Sequence, residues 1–537
     1  MRRSRGRAGR LAGPWALALS VAALTACGGG SGPAESGEQP TVLRLAIGGE
    51  SEEGYDPTLG WGRYGAPLFQ STLLTREADL GVGLDLATDY RVSADGLTWT
   101  VDLRDDAAFT DGTPVTAADV AYTFNAAAEQ GGLTDVTALE EAVAVDEDTV
   151  ELRLDEPRST FVNRMISLGI VPEHAHGESY AQQPVGSGPF RLVEWKRGQQ
   201  LVVERNEDYY GDQPEFDRIV FVFTDEDATL AAARTGEVDV AALPSALATQ
   251  DIAGMRLEAV TSIDNRGISF PTVPAGAPRS DGVPVGNDVT ADLAVRRAVN
   301  LAVDRQALVD AVLEGYGSPA TGPVDGAPWY EPASAIEDAD VPAAEAALAD
   351  AGWRDADGDG IREKDGTPAS FTLLYPAGDT LRQGLALSVV DMVAEAGVEI
   401  RTEGVSWDEI DRRLHTDAVM FGWGSHDPTE MYNLYHSSMA GSDLFNPGFY
   451  RSAAVDRHLD AAMAATDTET ANREWRAAQL EGTEGFTASA DAAWAWLVNL
   501  EHTYFVDECL DLGEPRIEPH GHGWPITAGI AEWTWTC

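Results

Sequence analysis

The sequence predicts an α/β protein with more than one sheet. Three observations carry this reading. Short segments alternate apolar and polar residues with period two, as half-buried strands do. Helical segments are interleaved with them. The chain also has 537 residues, more than one hydrophobic core usually holds, so two or three subdomains are expected.

The strands come first along the chain. Leu43, Leu45 and Ile47 alternate with Arg44 and Ala46. Trp99, Val101 and Leu103 alternate with Thr98, Thr100, Asp102 and Arg104, and Val150, Leu152 and Leu154 with Glu151 and Arg153. Ile219 to Phe223 is a continuous apolar run, as expected of a strand covered on both faces, and Phe371 to Tyr375 resembles it. Helices follow. Thr116 is placed to N-cap a helix beginning at Ala117. Ala294, Ala298, Leu301, Leu308 and Val312 share one helical face, with Gly315 as the stop. Ala343 to Ala351 is a further helix, closed by Gly352. Residues 271 to 290, rich in Pro, Gly and small polar residues, read as a long surface connection or a domain crossing.

The ends set the compartment. Arg2, Arg3, Arg5, Arg7 and Arg10 precede a mostly apolar stretch from Leu11 to Leu24, the layout of a secretory signal. That stretch is shorter than the roughly 20 residues a bilayer span needs. Leu24-Thr25-Ala26-Cys27 resembles the lipobox of bacterial lipoproteins, in which the cysteine is acylated and becomes the new N-terminus. Residues 1–26 are then a lipoprotein signal peptide, 27–40 a flexible tether, and Cys27 the lipid attachment on the outer face of the cell membrane. Of three cysteines this leaves Cys509 and Cys537, which outside the cytoplasm are expected to pair, the alternative being two free thiols. Net charge is −51 with only Lys196 and Lys364 as lysines, so the surface repels nucleic acid and anionic lipid.

Several patterns bear on chemistry. Asp355-Ala356-Asp357-Gly358-Asp359-Gly360 opens like a calcium loop, but its twelfth position is Gly366 where a bidentate Glu is needed. A tight polar hairpin explains it more simply. His520-Gly521-His522 and His174-Ala175-His176 each place two imidazoles on one face of an extended segment. There is no G-x-S-x-G elbow, H-E-x-x-H helix or Walker loop, and Gly186-Ser187-Gly188 reads as a turn. Two glycine-punctuated aromatic loops, Trp61-Gly62-Arg63-Tyr64-Gly65 and Phe421 to Pro428, suit the walls of a ligand cleft.

Four segments carry a family resemblance: Trp99 to Phe124 (WTVDLRDDAAFTDGTPVTAADVAYTF), Pro184 to Gly211 (PVGSGPFRLVEWKRGQQLVVERNEDYYG), Thr235 to Ala241 (TGEVDVA) and Ala294 to Val309 (AVRRAVNLAVDRQALV). Together they resemble solute-binding family 5, the peptide and nickel receptors of ABC importers. The resemblance implies a two-lobed periplasmic-binding-protein-like receptor of type II, with an extra subdomain on the first lobe. Lobe I would hold residues 41–80, 184–268 and 498–537, the extra subdomain 81–183, and lobe II 269–497. It implies a binding protein and not an enzyme, without a cofactor, monomeric, partnered by the importer's permease and ATPase. Peptide-binding members resemble this chain at Gly422-Trp423 and follow it with an Asp that takes the peptide's ammonium. The nickel branch also has a Trp there and a histidine further on, for which His436 is the counterpart.

The leading expectation is a receptor for a short peptide or peptide-like solute. Arg63 would hold a carboxylate and Asp427 face an amine, with Trp61, Tyr64, Trp423 and His426 around them. The alternative is a nickel or other metal-chelate receptor using His426, His436, His520 and His522. An exported hydrolase, the reading from another class, would need a convergent nucleophile and base.

Overall fold

Two long strands, Met255–Ser269 and Trp494–Asp507, pair antiparallel and run through both halves of one 11-stranded sheet. The architecture comes from a computed structural model that describes residues 41–65, 67–278, 282–442, 444–521 and 523–537. Cys27, the signal peptide, the tether and His522 lie outside the described residues.

At one end of the pair, Tyr504 to Val506 hold Val240–Ala242. Val42–Ala46, Arg218–Val222, Gln200–Arg205 and Phe190–Lys196 then follow in order. At the other end, Asn265 to Ser269 hold Ala418–Trp423, followed by Ser370–Pro376 and Glu399–Val405. Two sets of cores result. Leu43, Leu45, Phe190, Ile219 and Trp533 are buried in the first half; Val299, Leu373, Leu385, Met420 and Trp475 are buried in the second. Each large apolar side chain so enclosed contributes about 1.5–3 kcal/mol relative to exposure.

Between the halves the pairing slips. Thr261 faces Glu501 and Asn265 faces Asn499, so Ser262, Ile263 and Asp264 stand opposite Leu500 alone. A bulge of this kind bends the strand and re-aims its side chains. The C-terminal segment closes on it: Ile263 N–H donates to Glu518 O at 2.9 Å and Glu518 N–H to Thr261 O at 2.9 Å.

A separate four-stranded antiparallel sheet, in the order Ala87–Val92, Thr98–Leu103, Thr149–Leu154, Leu139–Ala144, packs on the helix Ala117–Gln130. Period-two alternation is realised directly here. Trp99, Val101, Leu103, Val150, Leu152 and Leu154 all turn inward. At the helix start the Asp119 carboxylate accepts from Thr116 N–H at 3.0 Å and from its hydroxyl at 2.8 Å.

Two local expectations are corrected. Ala294 to Val312 is two helices, Leu293–Ala302 and Arg305–Val312, with Val303 extended between them. Asp304 caps the second by accepting from Ala307 N–H at 2.8 Å. The break turns Arg305 inward, where its Nε donates to the carbonyls of Ala320 and Trp496, each at 2.8 Å. Arg218–Val222 buries only one face fully: Ile219 and Phe221 are inside, Val220 and Val222 half-buried.

Cys509 and Cys537 form a disulfide spanning 28 residues. Loop-closure entropy assigns such a bridge about 3–4 kcal/mol. The Cys509→Ser/Cys537→Ser protein is therefore expected to melt several degrees below the native one in calorimetry, and reductant to lower the melting temperature of the native protein alone.

Candidate functional site

A cleft of about 1270 Å³ opens where the two halves and the four-stranded subdomain meet. Its second-half wall is built by the strand Ala418–Trp423 and the turn after it. Gly424 there has φ +141°, and a β-carbon on it would lie 2.3 Å from Ile263 O, so the turn passes against the bulge only as glycine. Trp407 stacks on Phe421, with ring centroids 6.2 Å apart, and both face the cleft with Trp423. Arg63 and Tyr64 stand on the opposite wall, the guanidinium 4.6 Å from the ring centroid.

The expected site residues separate into groups. Arg63, Tyr64, Trp423, His426 and Asp427 line the cleft. Trp61 does not. It sits in an aromatic cluster with Tyr55, Phe69 and Trp524, its Nε1 donating to Pro67 O at 2.6 Å, and is a core residue of the first half. Asp427 does not present a free carboxylate to an amine. Arg164, from the subdomain, forms an ion pair with it, and Thr429 N–H donates to its Oδ1 at 2.9 Å.

The histidines do not assemble a metal centre among the described residues. His436 stacks on Tyr432 and is held by Ser438 and Asp460 at 2.6 and 3.2 Å. His520 donates from Nδ1 to Asp264. His174 pairs with Asp111 at 2.6 Å, and His176 with Asp56 and Tyr122, each at 2.9 Å. Burial, reinforced by the nearby Arg76, pushes His426 down to about 3, so it stays neutral. The loop from Asp355 does gather Asp355, Asp357, Asp359 and Glu363, all ligand oxygens within 4.8 Å of one another. Glu363 returns to the loop because its backbone pairs with Arg354 at the loop's start, Arg354 N–H donating to Glu363 O at 2.9 Å and Glu363 N–H to Arg354 O at 2.7 Å. Counted along the sequence, Glu363 is the ninth position of the loop and does not complete the calcium pattern.

The residues that dominate the cleft were not foreseen. Besides Arg63 it is lined by Arg76, Arg164, Arg266, Arg382 and Arg516, in a chain of net charge −51. Asp264, in the bulge, is the hub. It accepts from both terminal nitrogens of Arg266, from His520 and, at 3.4 Å, from His502. Burial alone would raise its pKa; the charges of Arg266 and His520 and the imidazole hydrogen bonds hold it well below the usual carboxylate range. Burial would likewise lower His502, but its bonds to Asp264 and Glu518 raise it to about 9. These positions are scattered from residue 76 to residue 520, and no local spacing marks them.

Comparison with known proteins follows the same outline. The family model for bacterial extracellular solute-binding proteins, family 5, matches residues 81–443. Protein XP55 of Streptomyces lividans is 36% identical over 517 residues, 92% of this chain and 91% of that protein. The oligopeptide-binding protein AppA of Bacillus subtilis is 28% identical over 437 residues, 76% of this chain and 77% of AppA. AppA's structure in complex with a nonapeptide covers 93% of this chain and 100% of AppA, with a TM-score of 0.68. NikZ from Campylobacter jejuni, in complex with Ni(L-His), covers 92% of this chain and 99% of NikZ, with a TM-score of 0.75 at 24% identity. A mixed α/β fold of two halves around a cleft defines a periplasmic-binding-protein-like receptor. The chain belongs to the family 5 extracellular solute-binding proteins, and as such is an extracytoplasmic substrate-binding component of an ABC importer.

Glu430 generates a pH prediction. It is buried, bonded at Oε2 by Gly424 N–H at 3.1 Å. Burial, with Asp427 and Asp264 nearby, raises it from 4.5 to about 8 against the pull of the Gly424 and Ser425 amides. A carboxyl whose folded pKa lies above its unfolded value stabilises the fold below the unfolded pKa. That contribution is lost as pH rises toward the folded pKa. Relative to Glu430→Gln, the native protein should lose stability steadily between pH 4.5 and about 8, with an upper limit of roughly 1.4 kcal/mol per unit of displacement. Thermal melts of both proteins across that range check it; a constant difference contradicts it.

Proposed function

We propose that this chain captures a short peptide or peptide-like solute between its lobes and delivers it to the permease and ATPase of its importer. The observation that carries the reading is the cleft. At about 1270 Å³ it exceeds the roughly 300–1,000 Å³ of ordinary small-ligand sites, leaving room for several residues of an extended chain. It lies beside the bulged strand pair that joins the two halves, where a small change of backbone angle would open or close it. Relatives named for oligopeptide and glutathione binding support the same class. Division into lobe I (41–80, 184–268, 498–537), the extra subdomain (81–183) and lobe II (269–497) is part of the proposal. So are action as a monomer, tethering through a lipid on Cys27, and binding without catalysis.

A metal-chelate receptor would need imidazoles free to meet the ligand. His436 stands outside the cleft lining and His520 gives its Nδ1 to Asp264, so His426 alone offers the cleft a neutral imidazole among the described residues, which favours the peptide reading.

Native mass spectrometry of the protein purified from its own host's membranes tests the ligand class. Masses of small peptides, released on denaturation, are the expected result. A nickel isotope pattern, or mass lost on chelation, would overturn the peptide reading. In the same host, Cys27→Ser is expected to move the protein from the membrane fraction to the medium or the soluble fraction, read by fractionation and blotting.

A further inference from the structure

A helical segment of the four-stranded subdomain, 159–167, carries a cation onto the second half of the protein. Phe161 and Met165, four residues apart, are buried in the subdomain core. Thr160 and Arg164, also four apart, turn the other way. The Ser159 hydroxyl donates to Ala462 O at 2.7 Å, and the Thr160 hydroxyl meets Met463 Sδ at 3.9 Å. Both partners lie at the end of the helix Ala453–Met463. One turn further on, Arg164 makes its ion pair with Asp427. Both of these residues line the cleft.

The pair engages both oxygens of Asp427. Thr429 N–H donates to Oδ1 at 2.9 Å, and Arg164 donates to Oδ2. The Arg164 and Asp427 side chains are only 16% and 12% exposed. Taking one partner from an enclosed ion pair leaves the other charge uncompensated away from water. A solute ammonium on Asp427 would do this to Arg164. Asp135 also acts on Arg164 by charge, but it makes no ion pair with it among the described residues; its Oδ1 accepts from the Thr137 amide and hydroxyl at 3.0 and 2.6 Å. Arg76 acts by charge on both Asp427 and His426, so an ammonium here also faces a second guanidinium. Glu430 supplies no substitute anion, because burial raises it to about 8 and keeps it protonated near neutral pH.

We propose that Arg164 is a specificity-determining residue: as a built-in cation on Asp427 it stands where a solute ammonium would go, so the end of the solute that meets this wall is uncharged. This deepens the peptide reading, rests on it, and names the chemistry of one end of the solute: an acylated or cyclised amino group in place of a free one. A guanidinium holds its charge and is more weakly hydrated than an ammonium, which makes it the stronger occupant of an enclosed carboxylate. It is also tethered. A group attached to the same chain meets its partner at an effective concentration on the order of millimolar, whereas a solute amine competes only at its own concentration. The docking of Ser159 and Thr160 on the end of Ala453–Met463 fixes the tether, so Arg164 is delivered to Asp427 by the fold and not by a flexible side chain alone.

The test is fluorescence titration of the intact protein, whose Trp407 and Trp423 wall the cleft. The probes are a pool of tetrapeptides with uncharged side chains and the same pool acetylated at the amino end. The readout is the ratio of the two affinities. In the native protein the acetylated pool is expected to bind the tighter. Arg164→Ala frees Asp427 and should shift the ratio toward the free amines by roughly tenfold or more. Arg164→Gln, which keeps most of the side chain's packing, should shift it the same way. Arg164→Ala/Asp427→Asn should lose that shift. A gain of amine binding cannot come from a damaged fold. A native protein that prefers free amines and loses the preference in Asp427→Asn overturns the proposal and leaves the peptide reading standing. So does a ratio that stays the same in both Arg164 variants, or one that shifts equally without Asp427. No saturable response to either pool in any of these proteins overturns the peptide reading, and the proposal with it.

Discussion

Backbone pairing between Met255–Ser269 and Trp494–Asp507 holds both halves of the large sheet in one ladder, and the features of the cleft follow from how that ladder is interrupted. Three residues opposite one cannot continue a regular pleat, so Asp264 leaves the sheet plane and becomes the collecting point for Arg266, His502 and His520. A carboxylate this enclosed persists as an anion only with such partners. The bulge and the charge cluster are one construction: the backbone irregularity creates the position, and the cations make it tolerable.

Charge in this protein is arranged against its average. Acidic residues cover the exterior, while arginines contributed by every part of the fold converge on the cleft. Where an arginine and an acid meet there, as with Arg164 and Asp427, the pair joins segments far apart in the chain. Such pairs are worth more here than on the surface, since they lie partly out of water. They also set what the site rejects. A ligand cation arriving at Asp427 would have to displace Arg164.

Much of the scaffold was legible in the sequence. Alternation in Trp99 to Leu103 and in Val150 to Leu154 placed those side chains inward, because a strand has only two faces and one of them is dry. Helix continuity was less legible: the apolar spacing from Ala294 to Val312 is compatible with one helix, and the break is set by Arg305 reaching carbonyls of two distant segments. Trp61 shows the same limit in the site. A glycine-flanked tryptophan beside an arginine and a tyrosine suits a cleft wall equally well, and only packing against Tyr55, Phe69 and Trp524 assigns it to the core.

By itself the sequence determined the class: an α/β receptor of solute-binding family 5, with its cysteines, its signature segments and its two aromatic loops in place. Those properties are local or compositional, and each is written in neighbouring residues. Only the tertiary structure decided that His436 and His520 face carboxylates, that Asp427 is occupied by Arg164, and that Arg266 and Arg382 meet over Gly422. The reason is physical. The electrostatics of a cleft depend on distance and burial between residues hundreds of positions apart, and neither quantity has a signature along the chain.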